Sequence, residues 1–249
     1  MPLNAIARNY STAAGAYEAG RPGYPEAVIA ALPLTAARCC VELGAGTGKF
    51  TRLLRPHLAP AVRLIAVEPV AEMSARLAGT PGVEVIDRRA DDTGLAAGCA
   101  DLVVCAQAFH WFDDPASVAE IVRLLRPGGT LALIWNMRDT RVPWVAALSQ
   151  MIEGYAGDAP RHQSGRWRWI LIDPRFRFER EIAQDHSHRM PRAGVIERVL
   201  STSYIAGLAP VQQAVLRRRT EAILRQAGLD PAAEVSFPYV SRLFLLTRL

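Results

Sequence analysis

The sequence predicts a doubly wound α/β fold, a mainly parallel sheet of seven strands with helices on both faces. Three observations carry this. Short apolar runs alternate with amphipathic stretches through the first 137 residues, and strands joined by helical crossovers in that order form a parallel sheet. The apolar run from Cys39 to Leu43 ends in Gly44, Gly46 and Gly48, with a helical pattern from Lys49 to Leu54 directly behind. The next apolar run, Leu64 to Val67, ends in Glu68-Pro69.

Each element follows from its local pattern. Residues 1–32 read as helical segments, with Pro25 in the first turn of a helix reaching Leu32. Strands are expected near 39–43, 64–67, 83–87, 101–105 and 130–136, and helices near 48–58, 70–78 and 115–125. Beyond Met137 the spacing predicts a helix over Val142–Tyr155 and a cap or loop insertion over Gly157–Asp173, rich in Gly, Pro, Arg and Trp. A strand over Phe176–Ile182 follows, then helices over Val195–Ser203 and Pro210–Ala227, and a last strand over Phe237–Leu246. With no internal repeat or low-complexity linker, residues 1–249 read as a single domain: a core over 35–137, an N-terminal lid over 1–32, and a substrate-covering elaboration over about 140–230.

The glycine turn is a ligand cradle. Glycines at a strand-to-helix turn bend the backbone tightly and let a ligand approach without meeting a Cβ, and a helix N-terminus offers unpaired N–H groups. Two phosphate motifs fail here. Gly48-Lys49 is followed by Phe50 rather than Ser or Thr, and Leu43 stands where the first glycine of that motif belongs. The dinucleotide fingerprint needs Gly-x-Gly-x-x-Gly, and the third glycine arrives one residue early. Glu68 lies ~20 residues on, where a carboxylate matches the two hydroxyls of a ribose.

Val41-Glu42-Leu43-Gly44-Ala45-Gly46-Thr47-Gly48 resembles the first motif of the class I S-adenosylmethionine-dependent methyltransferases. The resemblance continues in order. Glu68-Pro69 is similar to the family's ribose-binding acid and its neighbour, and Asp91-Asp92 to its adenine contact. The stretch from Asp101 to Phe112 resembles its fourth strand and following motif, with Gln107, Phe109, His110 and Trp111 in it; Leu124 to Gly129 resembles the turn before strand five. The implied fold is Rossmann-like, and the implied cofactor is S-adenosylmethionine, with S-adenosylhomocysteine as product. The implied cofactor contacts are Tyr17, Arg21, Glu42, Gly44, Gly46, Thr47, Gly48, Glu68, Pro69, Asp91, Asp92, Gln107, Phe109 and Trp111. A narrower resemblance, to the trans-aconitate methyltransferase-like branch, rests on Tyr10, Tyr17, Arg21-Pro22-Gly23-Tyr24-Pro25 and Ile134-Trp135-Asn136-Met137-Arg138-Asp139. It implies a small-molecule acceptor and an N-terminal segment that closes over the cofactor, with Arg21 on the methionyl carboxylate.

Methyl transfer from a sulfonium is an in-line displacement, so the protein mainly aligns donor and acceptor. Tyr17, Phe109 and Trp111 are candidates for an aromatic wall against the cation. His110, Asn136 and Arg138 are the candidate catalytic residues. His110 is a possible base for a hydroxyl or amine acceptor, while an ionised carboxylate needs none. Arg138 suits an acidic substrate, since a guanidinium fork binds carboxylates in a bidentate way. Ala106-Gln107-Ala108-Phe109 stands where many nucleic-acid amino methyltransferases carry Asn/Asp-Pro-Pro-Tyr, so a flipped base would lack its polar partner. The expected reaction is transfer to oxygen of a small molecule. Rival readings are a cofactor-dependent cyclisation or rearrangement, and an RNA-binding or RNA-modifying role for the Arg/Trp segments of 166–180.

Composition narrows the classes. Half of the 249 residues are hydrophobic, yet no apolar run approaches the ~20 residues of a membrane span. The start, Met1-Pro2-Leu3-Asn4, lacks a signal-peptide pattern, so a cytoplasmic protein without a membrane partner is expected. The net charge of +5 is scattered and comes from arginine, Lys49 being the only lysine, so a nucleic-acid partner is not expected. Cys39, Cys40, Cys99 and Cys105 form no Cys-x-x-Cys pair and read as small buried hydrophobes, with no metal site. The oligomeric state is open.

Overall fold

The structure, a computed structural model, describes residues 20–249. The helical reading of residues 1–19, with Tyr10 and Tyr17, lies outside the described residues.

The strands are β1 (Cys39–Leu43), β2 (Arg63–Val67), β3 (Glu84–Ile86), β4 (Ala100–Ala106), β5 (Leu125–Arg138), β6 (Phe176–Pro191) and β7 (Glu234–Arg248). They form one sheet in the order β3-β2-β1-β4-β5-β7-β6. The pairs β1–β2, β1–β4, β2–β3 and β4–β5 are parallel. Sequence order reverses between β1 and β4, and ligands of such sheets bind at that switch, beyond the strands' carboxyl ends. The helices among the described residues are α1 (Glu26–Ala30), α2 (Lys49–Leu54), α3 (Ala71–Leu77), α4 (Pro115–Leu124), α5 (Pro143–Glu153), α6 (Arg192–Leu200), α7 (Ser203–Ala206) and α8 (Pro210–Gln226). None is long and apolar enough to cross a membrane.

The backbone gathers into two compact units. The glycine-loop unit comprises Tyr24–Asn136, Pro160–Gln184 and Ser241–Leu249; the helical unit comprises the described residues up to Gly23, Met137–Ala159 and Asp185–Val240. In the glycine-loop unit β1 and β4 are buried throughout, as strands covered on both faces should be. Val28 and Ile29 of α1, Phe50 and Leu54 of α2, and Leu243 and Leu245 of β7 pack in one core with Cys40, Leu64 and Leu102. Asp114 starts α4 by accepting from the N–H groups of Ala116 and Ser117 at 2.9 and 3.1 Å, with Pro115 in the first turn. The helical unit is built on Val145, Leu148 and Ile152 of α5, three and four residues apart, packed with Val195, Ile196 and Val199 of α6, Leu216 and Leu224 of α8, and Val235, Phe237 and Tyr239 of β7.

Several boundaries differ from the sequence expectation, each for a local reason. The helix expected over 48–58 ends at Leu54 and tightens into a 3-10 turn over Arg55–His57, where Pro56 has no N–H to donate. β5 begins at Leu125, not near 130, because the register between Ala100 and Leu102 slips to absorb Arg126–Gly129 as an irregularity. β6 runs on to Pro191 rather than ending at Ile182. The helix expected over Val195–Ser203 stops at Leu200, and Ser203 opens the short α7. Cys39, Cys40 and Cys105 are buried and all four thiols are free; burial raises Cys39 to about 11 and Cys40 to about 12, which keeps them unreactive.

The segment expected as a cap, Gly157–Asp173, folds over His162–Ser164 and Arg166–Ile172 as 3-10 turns. Trp167 is fully buried against Trp135 and Phe244, with ring centroids 4.4 and 4.9 Å away, and His162 lies 4.8 Å from Trp135. Both His162 ring nitrogens are buried without a hydrogen-bond partner. Burial, helped by the charges of Arg168 and Arg242, lowers the imidazole from 6.5 to about 4. A base depressed on folding stabilises the folded state above its unfolded pKa and loses that contribution as pH falls towards the folded one. Stability is therefore expected to drop by about 3 kcal/mol between pH 7 and pH 4 through this residue. Urea unfolding of His162→Phe across that range should show a flatter acid limb; an unchanged slope would count against the assignment.

Candidate active site

The site is built where β1, β2 and β4 end. Leu43 pairs with Val67, Val67 with Ile86, and Ala106 with Ile134, which levels the strand ends. The ladder continues one step beyond. Gly44 and Ala45 donate to Val67 O at 2.9 and 3.2 Å, Glu68 to Ile86 O at 3.0 Å, and Gln107 to Ile134 O at 2.8 Å. Gly44, Glu68 and Gln107 thus stand on one edge of the sheet, and Asp91 follows β3 in the same unit.

The glycines do different work. All three have positive φ: 68° at Gly44, 58° at Gly46 and 85° at Gly48. A Cβ on Gly44 would lie 2.7 Å from the Ala108 Cβ, and one on Gly48 would lie 2.1 Å from Leu77 Cδ1. Those two glycines are needed by the fold itself. A Cβ on Gly46 would meet only Met73 Sδ, at 3.9 Å. The space over Gly46 is open, unlike that over the other two glycines.

Glu68 ties this loop down. Its Oε2 accepts from Gly46 N at 2.8 Å and its Oε1 from Val70 N at 3.0 Å. It is 5% exposed; burial raises its pKa while the two N–H groups oppose the rise. Each oxygen keeps a second lone pair for another donor. Glu42 lies below the loop, wholly enclosed, and accepts from Thr51 Oγ1 at 2.6 Å. Burial drives it up to about 8, with the neighbouring Glu68 charge adding to the rise, so it is protonated at neutral pH. Thr47 is buried, and its carbonyl accepts from Arg52 Nη1 at 2.7 Å. Pro69 follows Glu68 and is half-buried.

Asp91 takes a bidentate pair from Arg89 with both contacts at 2.7 Å, and that guanidinium holds its carboxyl below the usual range. Asp92 is exposed and pairs loosely with Arg88 at 3.5 Å. Gln107 is the single non-glycine residue with positive φ (58°) among the described residues, and its Nε2 donates to Asn136 O at 3.0 Å. Backbone held in that region by surrounding bonds is a frequent mark of a functional loop. Phe109 is fully buried, edge-on to Phe112 at 5.8 Å, and Phe112 in turn lies against Gly44. Trp111 is half-buried, its ring 5.4 Å from that of His110.

His110 Nδ1 accepts from the Trp135 indole N–H at 3.1 Å. Since an indole nitrogen can only donate, the neutral ring carries its proton on Nε2 and offers a donor there. The Asn136 Oδ1 accepts from Ser241 Oγ. Arg21 and Arg138 belong to the helical unit, where Arg138 donates to Ser149 Oγ at 3.0 Å and lies 3.7 Å from Glu153. Sequence reasoning missed the supports of the loop: Arg52, Thr51, Met73 and Leu77 carry no motif, and only packing shows their part. In the Arg/Trp segment, Trp167 is in the core and Trp169 donates its Nε1–H to Asp113 O at 3.1 Å.

A levelled sheet edge, a glycine loop bound by one carboxylate and a strained turn after β4 make this end of the sheet the candidate site of an α/β enzyme. The comparisons agree. Residues 41–133 match the methyltransferase domain family. A methyltransferase of Mycobacterium tuberculosis without an assigned substrate is 36% identical over 236 residues, covering 94% of this chain and 93% of its own. The trans-aconitate 2-methyltransferase of an Azoarcus species is 33% identical over 222 residues, 82% of this chain and 83% of its own. Among solved structures, a candidate type II methyltransferase from Anaeromyxobacter dehalogenans superimposes with a TM-score of 0.73 at 23% identity, over 90% of this chain and 97% of that one. The chain belongs to the class I S-adenosylmethionine-dependent methyltransferases.

Proposed function

We propose that this enzyme moves a methyl group from S-adenosylmethionine to an oxygen of a small organic molecule, with a carboxylate as the favoured acceptor. The observation that carries the cofactor assignment is Glu68, whose two oxygens hold Gly46 N and Val70 N and keep lone pairs for a ribose diol. The open space over Gly46 fits the same ligand. The cofactor supplies a methyl on a sulfonium whose thioether leaves neutral. The chain's own work is alignment: Gly44 to Gly48 present backbone, Glu68 orients the ribose, and Asp91, steadied by Arg89, faces the adenine as the family pattern implies. Trp111 offers a half-exposed aromatic face near the sulfonium, and Phe109 backs the loop through Phe112. The Azoarcus relative's name places its methyl on aconitate, an organic acid, and the chain lacks the Pro-Pro-Tyr head that would suit a flipped base. The four free cysteines suit a reducing cytoplasm.

The test is calorimetry with S-adenosylhomocysteine, followed by incubation of the enzyme with S-adenosylmethionine and a panel of organic acids and alcohols. Formation of S-adenosylhomocysteine with a product heavier by one CH2 supports methyl transfer, whereas a product of unchanged mass would move the assignment to a rearrangement. A carboxylate acceptor is already ionised and needs no base. With Nδ1 of His110 engaged by Trp135, His110→Gln should then slow kcat by less than about tenfold, against the 10²–10⁴-fold cost of losing a general base. A loss near the upper figure would favour a hydroxyl acceptor with His110 as its base.

A further inference from the structure

Among the described residues, the helical unit holds a buried arginine with no acid to meet it. Arg198 lies on α6, is 8% exposed, and has its Nε buried without a hydrogen-bond partner. Buried guanidinium groups are normally paired, because leaving the charge unmatched in a dry interior costs several kcal/mol. Here the charged groups acting on it are two more arginines, Arg21 and Arg138, and the polar group that favours its charge is the Tyr239 phenol. The acids of the unit's nearby helices are taken. Glu197 pairs with Arg217 at 2.8 Å, and Glu153 faces Arg138 and Tyr204. The Tyr239 hydroxyl is itself buried without a hydrogen-bond partner. The backbone before Arg21 closes on the group, since a side chain at Gly20 would come within 3.7 Å of Arg198 Cδ. Burial and the two neighbouring positive charges lower Arg198 to about 10, the direction an absent anion would reverse.

We propose that Arg198, flanked by Arg21, Arg138 and the Tyr239 hydroxyl, anchors a binding site for an organic carboxylate in the helical unit. The guanidinium supplies a planar fork for two carboxylate oxygens, and the phenol O–H supplies a third donor. Arg138 already faces Glu153, so Arg198 is the guanidinium on which the carboxylate is centred. The role of this anion as the methyl acceptor's recognition group rests on the methyl-transfer reading; its binding does not.

The test uses the full chain and three probes, citrate, tricarballylate and inorganic phosphate, with sodium chloride at matched ionic strength as control. Saturable heat and a rise in melting temperature are expected with a polycarboxylate and not with chloride. Arg198→Met should weaken that binding roughly 10- to 100-fold and melt no lower than the parent without ligand, because it removes an unmatched buried charge. A purely structural arginine would show the opposite, a lower melting point and no change in carboxylate affinity. Should Arg198→Met fail to fold, Tyr239→Phe serves in its place and must weaken polycarboxylate binding too. No saturable carboxylate binding by the parent, tighter binding of phosphate than of either acid, or unchanged affinity in the variant each overturns the proposal. S-adenosylhomocysteine binding is measured in parallel and should be the same in parent and Arg198→Met. Its absence from the parent would sink the methyl-transfer reading alone and leave the anion site standing.

Discussion

Gly46→Arg is expected to fold and to bind no S-adenosylhomocysteine. The φ of 58° at Gly46 imposes ~1–2 kcal/mol of left-handed strain on any residue with a Cβ, which a protein of ordinary stability survives. The nearest obstacle to the new Cβ is Met73 Sδ at 3.9 Å, so there is room for the side chain to start, and it then fills the space over the loop. Gly44→Val makes the opposite pair of outcomes. Its Cβ would press to 2.7 Å on the Ala108 Cβ, an atom with no rotamer by which to retreat, and the strain at 68° adds to the clash. That change should cost about 3–5 kcal/mol of unfolding free energy. Calorimetry and chemical unfolding on both variants separate the two roles. A Gly46→Arg protein that still binds with parental affinity would place the ligand elsewhere.

Glu68→Ala is expected to lower S-adenosylhomocysteine affinity roughly a thousandfold, about 4 kcal/mol. Two charge-assisted hydrogen bonds to a ribose diol are worth ~1.5–3 kcal/mol each. The deletion also strands Gly46 N and Val70 N, which now meet the carboxylate at 2.8 and 3.0 Å, so the loop loses the tie that holds its shape before the ligand arrives. Glu68→Gln divides these effects. Its amide offers one acceptor oxygen in place of two, so it restores one of the two loop contacts and none of the charge, and should fall between parent and alanine. An alanine variant binding within a few-fold of the parent would remove Glu68 from the site.

The glycine loop shows why so much of this half of the molecule could be read directly. Gly44, Gly46 and Gly48 answer to backbone dihedrals and close approach, which few residue types satisfy, and Glu68 answers to its place at a strand end. Such demands are local, so they leave a mark at fixed spacing. Neither the sequence nor its family pattern distinguished the three glycines from one another. That distinction depends on Ala108, Met73 and Leu77, which arrive from other elements. His110 is a similar case. Its place after strand four was legible, but the acceptor role of Nδ1 depends on Trp135, 25 residues away on β5. The segment Gly157–Asp173 was legible as irregular, since its composition resists regular structure. Its burial of Trp167 beside Trp135 and Phe244 was not, because nothing within the segment marks which side meets a core.

By itself the sequence determined the strand and helix order, the parallel character of the sheet and the site of the turn, while the cofactor to expect came from its resemblance to a family. These rest on periodicity and on short-range backbone requirements. Tertiary structure alone decided which glycine has open space above it, which carboxyl burial pushes towards its protonated form, and that an arginine on α6 is buried near other arginines. Burial and charge proximity are properties of packed neighbours distant in the chain, and a residue's spacing carries no record of them.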